Sequence, residues 1–350
     1  TMLMLTETEV TKLKDHLDHC NHPFIFFHDD PDGLASFLLF YRYKKEGKGF
    51  PLKAFPRLTA QHASKAVEYG ADKVFILDIA LADQEFFDAL NGIPCVWLDH
   101  HALVERQKVH YFNPRIRGDN IPTPVGCYQI VQQDLWLATI GSIGDWHLPE
   151  FADKFRAEYP DLLPANITTV EEALFNSPIS PIVKLLSFNL KGPTSEVMQS
   201  IKILTRIESP YEILNKATPQ ARFLVKKYEK INRMYEELLA RAEKNVTKDP
   251  LLVFTYSDDQ LSLTKDVANE LLYKYNDKII VLGREKDGEY RCSLRSGPKT
   301  ILLPIVEKAL LGIQGYGGGH DHAVGAGIKK EDFARFLDNI RIGYHEQHKK

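Results

Sequence analysis

Cysteine is scarce in this chain. Four occur among 350 residues, standing singly at positions 20, 95, 127 and 292. Such spacing excludes a disulfide scaffold and a paired-thiolate zinc site, and it matches a protein kept in a reducing cytosol. No uncharged apolar run approaches the roughly 18 residues that span a bilayer, so no membrane segment is expected and the chain is read as cytoplasmic. Residues Thr1 to Leu17 turn acidic and polar soon after Met4, unlike a signal peptide. With 21 Gly and 19 Pro the chain is too poor in both to be collagen-like or of low complexity. An excess of charge of one sign is also lacking, because the formal net charge is only -3. A broad nucleic-acid footprint usually makes a domain strongly basic. The charge therefore argues at first against such a partner, while leaving small anionic substrates and metal-assisted chemistry open.

What is present is the balance of a globular protein, 44% hydrophobic and 26% charged, at a length that favours two domains. Thr6-Glu7-Thr8-Glu9 has capping-box spacing ahead of Val10, Leu13 and Leu17, which predicts an opening helix. Strands are expected at Phe24 to Phe27, Leu52 to Phe55, Lys73 to Asp78 and Pro94 to Asp99, alternating with helices at Gly33 to Phe40, Ala60 to Tyr69 and Asp83 to Leu90. This alternation implies βαβ crossovers and a parallel sheet. Residues 147–249 lose it and read as a mostly helical connector, with a long helix at Gln220 to Lys244. Strands return at Leu251 to Phe254, Lys278 to Leu282 and Tyr290 to Leu294, with a helix near Leu263 to Tyr275. The fold class expected is thus α/β: an N-terminal parallel-sheet domain over 1–146, the connector, and a smaller α/β domain over 250–350.

Four predicted strand ends in the first domain carry metal-type ligands. They are His28-Asp29-Asp30-Pro31-Asp32-Gly33, Asp78, Asp99-His100-His101, and Asp145 after Gly141-Ser142-Ile143-Gly144. Each alone is weak, since a strand-end Asp is more often a helix cap. Together they place carboxylates and imidazoles at one sheet edge, where α/β sheets bind ligands. A mixed His/Asp set suits Mn²⁺ or Mg²⁺, with Co²⁺ and Zn²⁺ also accommodated. Enough carboxylates are present for one to bridge two ions about 3.5–4 Å apart. Other groups carry weaker signals. His16, His19, Cys20 and His22 lack a matching second set, and His147 lies close behind Asp145 but reads as a surface residue. Tyr41 to Lys45 and Lys226 to Arg233 mix basic and aromatic residues as single-strand grooves do, though solvated helix faces look the same.

In this order, His-x-Asp-x-Asp-Gly, the lone Asp, Asp-His-His and Gly-x-x-Gly-Asp resemble the motifs of the DHH phosphoesterase superfamily. Gly317-Gly318-Gly319-His320 resembles the signature of its C-terminal DHHA1 domain, and Ser293-Leu294-Arg295-Ser296 that domain's arginine motif. The resemblance implies that His28, Asp30 and Asp78 hold one divalent cation, and Asp32, Asp78, His100 and Asp145 a second, with Asp78 bridging. The pair is expected to be Mn²⁺, with Mg²⁺ or Co²⁺ as alternatives. It further implies that Asp99 orients His100, and that His101, Arg295, Ser296, Gly317, Gly318, Gly319 and His320 bind substrate. Asp78, His101, Arg295 and His320 would be the catalytic set. The glycines read either as a flexible loop or as an anion-binding nest. The second domain would close over the metals, with hinge motion in the connector.

Size and loop pattern resemble archaeal RecJ-like nucleases, including the Hef-associated type. The implied activity is a metal-dependent exonuclease on single-stranded DNA or RNA, of 3′→5′ polarity, releasing nucleoside 5′-monophosphates. The alternatives are a phosphodiesterase for nanoRNA or the dinucleotide pApA, and a non-catalytic replication scaffold resembling Cdc45. A homo-oligomer and a DNA-repair helicase or replisome partner are implied by resemblance alone. Two divalent ions would move the formal charge from -3 to about +1, so the charge loses its force against a nucleic-acid substrate.

Overall fold

A computed structural model describes residues 3–53, 57–257 and 261–349. The chain divides into two compact units, Thr1–Tyr228 and Glu229–Lys350. The first is built on a five-stranded sheet of β1 (Pro23–His28), β2 (Lys48–Leu52), β4 (Lys73–Leu77), β6 (Cys95–Leu98) and β7 (His110–Phe112), ordered β2-β1-β4-β6-β7. Every pairing in it is parallel. A separate short pair joins β3 (Arg57–Leu58) to β5 (Leu81–Ala82).

Burial explains why these strands are apolar without alternation. Ile25, Phe27, Phe75, Leu77, Val96 and Leu98 enter one core cluster, while Phe24, Phe26, Val74, Ile76, Cys95 and Trp97 enter another. Successive side chains point to opposite faces, so a sheet covered on both sides needs an apolar residue at every position. The first cluster is filled by α1 (Glu7–Asp18), α2 (Pro31–Lys44), α5 (Thr123–Val131) and α6 (Leu135–Gly144). The second is covered by α3 (Ala60–Tyr69) and α4 (Gln84–Asp88). The capping box of α1 forms as its sequence predicts, with Thr6 and Glu9 exchanging bonds. The strand expected at Leu52 to Phe55 instead begins earlier, at Lys48, and Ala54 and Phe55 lie outside the described residues.

Beyond α6 come α7 (Ala152–Glu158), α8 (Val170–Phe175), α9 (Ser180–Asn189), α10 (Thr194–Leu204), α11 (Pro210–Leu214) and α12 (Pro219–Glu243). Up to Val225 their buried residues share the core cluster of α2 and α6, so much of the helical stretch packs within the first unit.

In the second unit the sheet order is β11-β12-β10-β9-β8, from β8 (Leu251–Ser257), β9 (Ile279–Lys286), β10 (Glu289–Arg295), β11 (Gly315–His320) and β12 (Ala323–Lys329). The β8–β9 pair is parallel and the other pairs antiparallel. Helices α13 (Thr264–Lys274), α14 (Leu302–Ala309) and α15 (Phe333–Gln347) complete the unit.

The order of the first sheet fixes where a site can form. From β1 the chain passes to β2 on one side, then returns to β4 on the other. A crevice therefore opens beyond the carboxyl ends of β1 and β4, the switch point at which such sheets bind ligands. His28 ends β1 and Asp78 follows β4.

Candidate metal centre

Backbone bonds carry the ladder one residue past each strand: Asp29 N–H donates to Leu52 O, Asp78 N–H to Leu98 O and Asp99 N–H to Phe112 O. Three aspartates thus stand at one sheet edge. Asp78 is fully buried and has φ +60°, a left-handed conformation costly for a residue with a Cβ. Asp30 caps α2, its Oδ1 accepting from Gly33 N–H at 2.9 Å, and Asp32 lies buried in that helix's first turn. Gly33 is required here, because a Cβ would fall 2.1 Å from the His28 carbonyl oxygen.

Asp145 arrives differently from expectation. Gly141 to Asp145 is the end of α6, with Asp145 at its C-cap, and is not a strand end. Its glycines serve packing. A Cβ on Gly141 would meet Ala35 Cβ at 2.3 Å, and one on Gly144 would meet Pro31 Cβ at 2.8 Å, so α6 lies tightly on α2 beside Asp32.

The ligand atoms converge. His28 Nδ1 lies 2.9 Å from Asp30 Oδ2 and 4.0 Å from Asp78 Oδ2. His100 Nε2 lies 3.2 Å from Asp78 Oδ1, 3.6 Å from Asp145 Oδ2 and 4.0 Å from Asp32 Oδ2. The two oxygens of Asp78 therefore face two different imidazoles. Three sets, His28/Asp30/Asp78, Asp32/His100/Asp145 and Asp78/Asp99/His100/His101, each bring their ligand atoms within 4.8 Å of one another. Burial, and then the neighbouring carboxylates, push the carboxyls of Asp32 and Asp78 well above the ordinary range.

Asp99 corrects the expected partner of His100. Its Oδ1 bonds His101 Nδ1 at 2.7 Å and its Oδ2 accepts from His101 N–H at 3.1 Å. His100 Nδ1 instead pairs with Asn120 Oδ1 at 2.8 Å. The reason is hydrogen bonding: the carboxylate of Asp99 reaches the residue two positions along, where backbone and ring both offer hydrogens. Burial would lower the His101 pKa, but the Asp99 hydrogen bond and charge outweigh it and raise it.

A carbonyl oxygen only accepts, so His100 Nδ1 carries the hydrogen and Nε2 presents a lone pair to the carboxylates. Among the described residues, His100 Nε2 and Asp78 Oδ2 are buried with no hydrogen-bond partner. Lone pairs gathered in a buried space repel unless cations lie among them. The donor set therefore fits divalent ions.

Sequence reasoning missed Asn120, and also Asn113 and Arg115. Asn113 Nδ2 donates to His101 O at 2.9 Å and Arg115 Nε to His100 O at 2.9 Å. His147, read from the sequence as a surface residue, is half-buried, and burial foremost lowers its pKa. Asn113-Pro114 after a strand is a visible cap signal, but nothing in the sequence marks Asn120. His16 pairs with Lys73, His19 with Asp15, and neither falls in a ligand group among the described residues.

In the second unit Arg295 ends β10. Its Nε donates to Asn269 Oδ1 at 2.8 Å, and burial lowers its pKa to about 10. Ser296 is buried, with Oγ donating to Thr300 O at 2.8 Å and lying 3.1 Å from His322 Nδ1. Gly317, Gly318, Gly319 and His320 belong to β11, an exposed edge strand. Both the loop and the nest readings are corrected here, since an extended run paired to β12 cannot wrap an anion with successive N–H groups. Arg295 and His320 both stand opposite Ala323, on neighbouring strands to either side. Cross-strand partners share a face, so both side chains lie on one face, with Cα atoms roughly 10 Å apart.

Among the described residues, no helix is long and apolar enough to cross a membrane. Residues 250–341 match the family model for the DHHA1 domain. No curated protein matches the sequence. Among solved structures, RecJ from Thermus thermophilus in complex with Mn²⁺ superposes with a TM-score of 0.66 at 15% identity, over 97% of this chain and 54% of that one. This chain thus spans about half the length of that relative. A second exonuclease RecJ, bound to manganese, gives 0.63 at 14% identity over 95% of this chain and 92% of that one. The pGpG-specific phosphodiesterase PggH from Vibrio cholerae gives 0.52 at 14% identity over 93% and 100%. This chain therefore has a RecJ-like fold, with a DHHA1 domain over residues 250–341.

Proposed function

We propose that the chain is a metal-dependent exonuclease that hydrolyses single-stranded DNA or RNA to nucleoside 5′-monophosphates, working 3′→5′. The observation that carries the reading is Asp78: a fully buried carboxylate whose two oxygens face His28 and His100 within one acidic cluster. On this reading His28, Asp30 and Asp78 hold one cation, and Asp32, Asp78, His100 and Asp145 the other. When bound, two divalent cations, Mn²⁺ foremost, supply Lewis acidity at phosphorus and neutralise charge on the phosphate oxygens. His101, favoured in its charged form by Asp99, donates to a phosphate oxygen. Arg295 and His320, displayed on one face of the second sheet, grip phosphate, with Ser296 and the Gly317 to Gly319 backbone beside them.

Replacing Asp78 with Asn or Ala should abolish turnover and Mn²⁺ binding together while the far-ultraviolet circular dichroism is kept. Retained turnover would overturn the assignment. Arg295→Ala should mainly raise KM, and an equal fall in kcat would give it a role in the reaction step. A time course on end-labelled DNA and RNA of graded length reports polarity and sugar preference together. A second reading, a dinucleotide phosphodiesterase, is favoured by the likeness to PggH across that protein's whole length. Cleavage of dimers but not of 20-mers would select it.

A further inference from the structure

Two adjacent histidines, with ring centroids 4.6 Å apart, receive opposite partners. Asp99 holds His101, whereas an amide carbonyl from a different segment holds His100. That segment is the loop 113–120, and it touches the pair three times. Asn113 donates to the carbonyl of His101, Arg115 to the carbonyl of His100, and Asn120 accepts from the His100 ring. The loop returns on itself because Asn113 caps the short 3-10 turn Pro114–Arg117 and Gly118 closes it with φ +81°. Sheet pairing places Asp99 but cannot orient a ring beyond the strand. Without the loop, His100 could rotate or exchange the hydrogen between its nitrogens.

We infer that Asn120 is a positioning residue, which fixes His100 with its hydrogen on Nδ1 and so presents the Nε2 lone pair to Asp78, Asp32 and Asp145. A neutral acceptor suits this task. It engages one ring nitrogen and leaves the other, Nε2, turned to the carboxylates with no hydrogen-bond partner. A metal ion binds an imidazole through a ring nitrogen that carries no hydrogen, and the Asn120 contact keeps Nε2 in that role. The inference rests on the cation-site reading proposed above.

The test uses the full chain, labelled with ¹⁵N-histidine and freed of metal. Long-range ¹H–¹⁵N spectra should show His100 protonated at Nδ1 alone. Asn120→Ala and Asn120→Leu should give a mixture of tautomers and weaken Mn²⁺ binding, read by electron paramagnetic resonance, by about 10–100-fold. Asn120→Asp keeps an acceptor and should keep Nδ1 protonated, a rescue that mere loss of packing would not allow. Circular dichroism and thermal midpoints control for folding. Hydrogen on Nε2 in the wild type, or an unchanged tautomer in Asn120→Ala, overturns the inference. A wild type that binds no Mn²⁺ while its tautomer shifts in Asn120→Ala overturns the metal reading and leaves the positioning role standing.

Discussion

Asp29 lies between two members of the cluster yet touches neither imidazole closely, standing 4.0 Å from His28 Nε2. Burial raises its carboxyl from the ordinary 3.8 to about 6. Between those values the folded chain binds more protons here than the unfolded chain, so the stability contributed by Asp29 is complete below about 4 and lost as pH rises through about 6. Asp29→Asn should remove that slope and stabilise the metal-free protein at pH 8, by about 3 kcal/mol at most and less where solvent screens the charge. Urea unfolding in EDTA across this range checks it, and an unchanged slope would put the desolvated charge elsewhere. Residue types were legible at this scale. His28, Asp30, Asp32, Asp78, His100 and Asp145 stand out because carboxylates and imidazoles follow apolar strands or small-residue runs. The partners of those residues were not legible. Asp99 could serve either neighbour, and only the placement of loop 113–120 gives His100 to Asn120.

Elements were legible where burial imposes a period. The apolar runs of β1, β4 and β6 and the caps of α1 lie where the pattern puts them, because a doubly covered strand admits few polar residues. Two glycine-rich segments misled, since glycine marks freedom or close approach without saying which. At 141–145 the cause is a helix contact, and at 315–320 an extended edge strand. The first has a measurable consequence. Gly141→Ala gains about 1 kcal/mol of helix propensity, but its Cβ must displace Ala35 from 2.3 Å. Ala35 is itself fixed in a buried helix, so overpacking of about 1–3 kcal/mol should win and lower the denaturant midpoint. A raised midpoint would show that α2 and α6 part at little cost. Mn²⁺ affinity should fall as well, because α6 carries Asp145.

For the whole molecule, the predicted division into α/β, helical and α/β stretches follows the chain order. The two compact units draw the helical residues up to Tyr228 in with the first sheet. With Asp30, Asp32, Asp99 and Asp145 gathered around Asp78 in that unit, added cations should stabilise it strongly. At a hundredfold excess over Kd, Mn²⁺ should add about 2.7 kcal/mol for a single site, visible as a raised thermal midpoint that EDTA reverses. The gain should vanish in Asp78→Asn. A wild-type midpoint indifferent to Mn²⁺, Mg²⁺ and Co²⁺ would count against the cluster as a cation site.

By itself the sequence determined the parallel α/β architecture and the identities of the clustered acids and histidines. Periodic burial and strand-end chemistry are local, and they are written in consecutive residues. The tertiary structure alone decided which oxygen faces which imidazole, that Asp145 comes from a helix end, and that Asn120 holds His100. Those contacts join residues distant in sequence, through packing that no local pattern encodes.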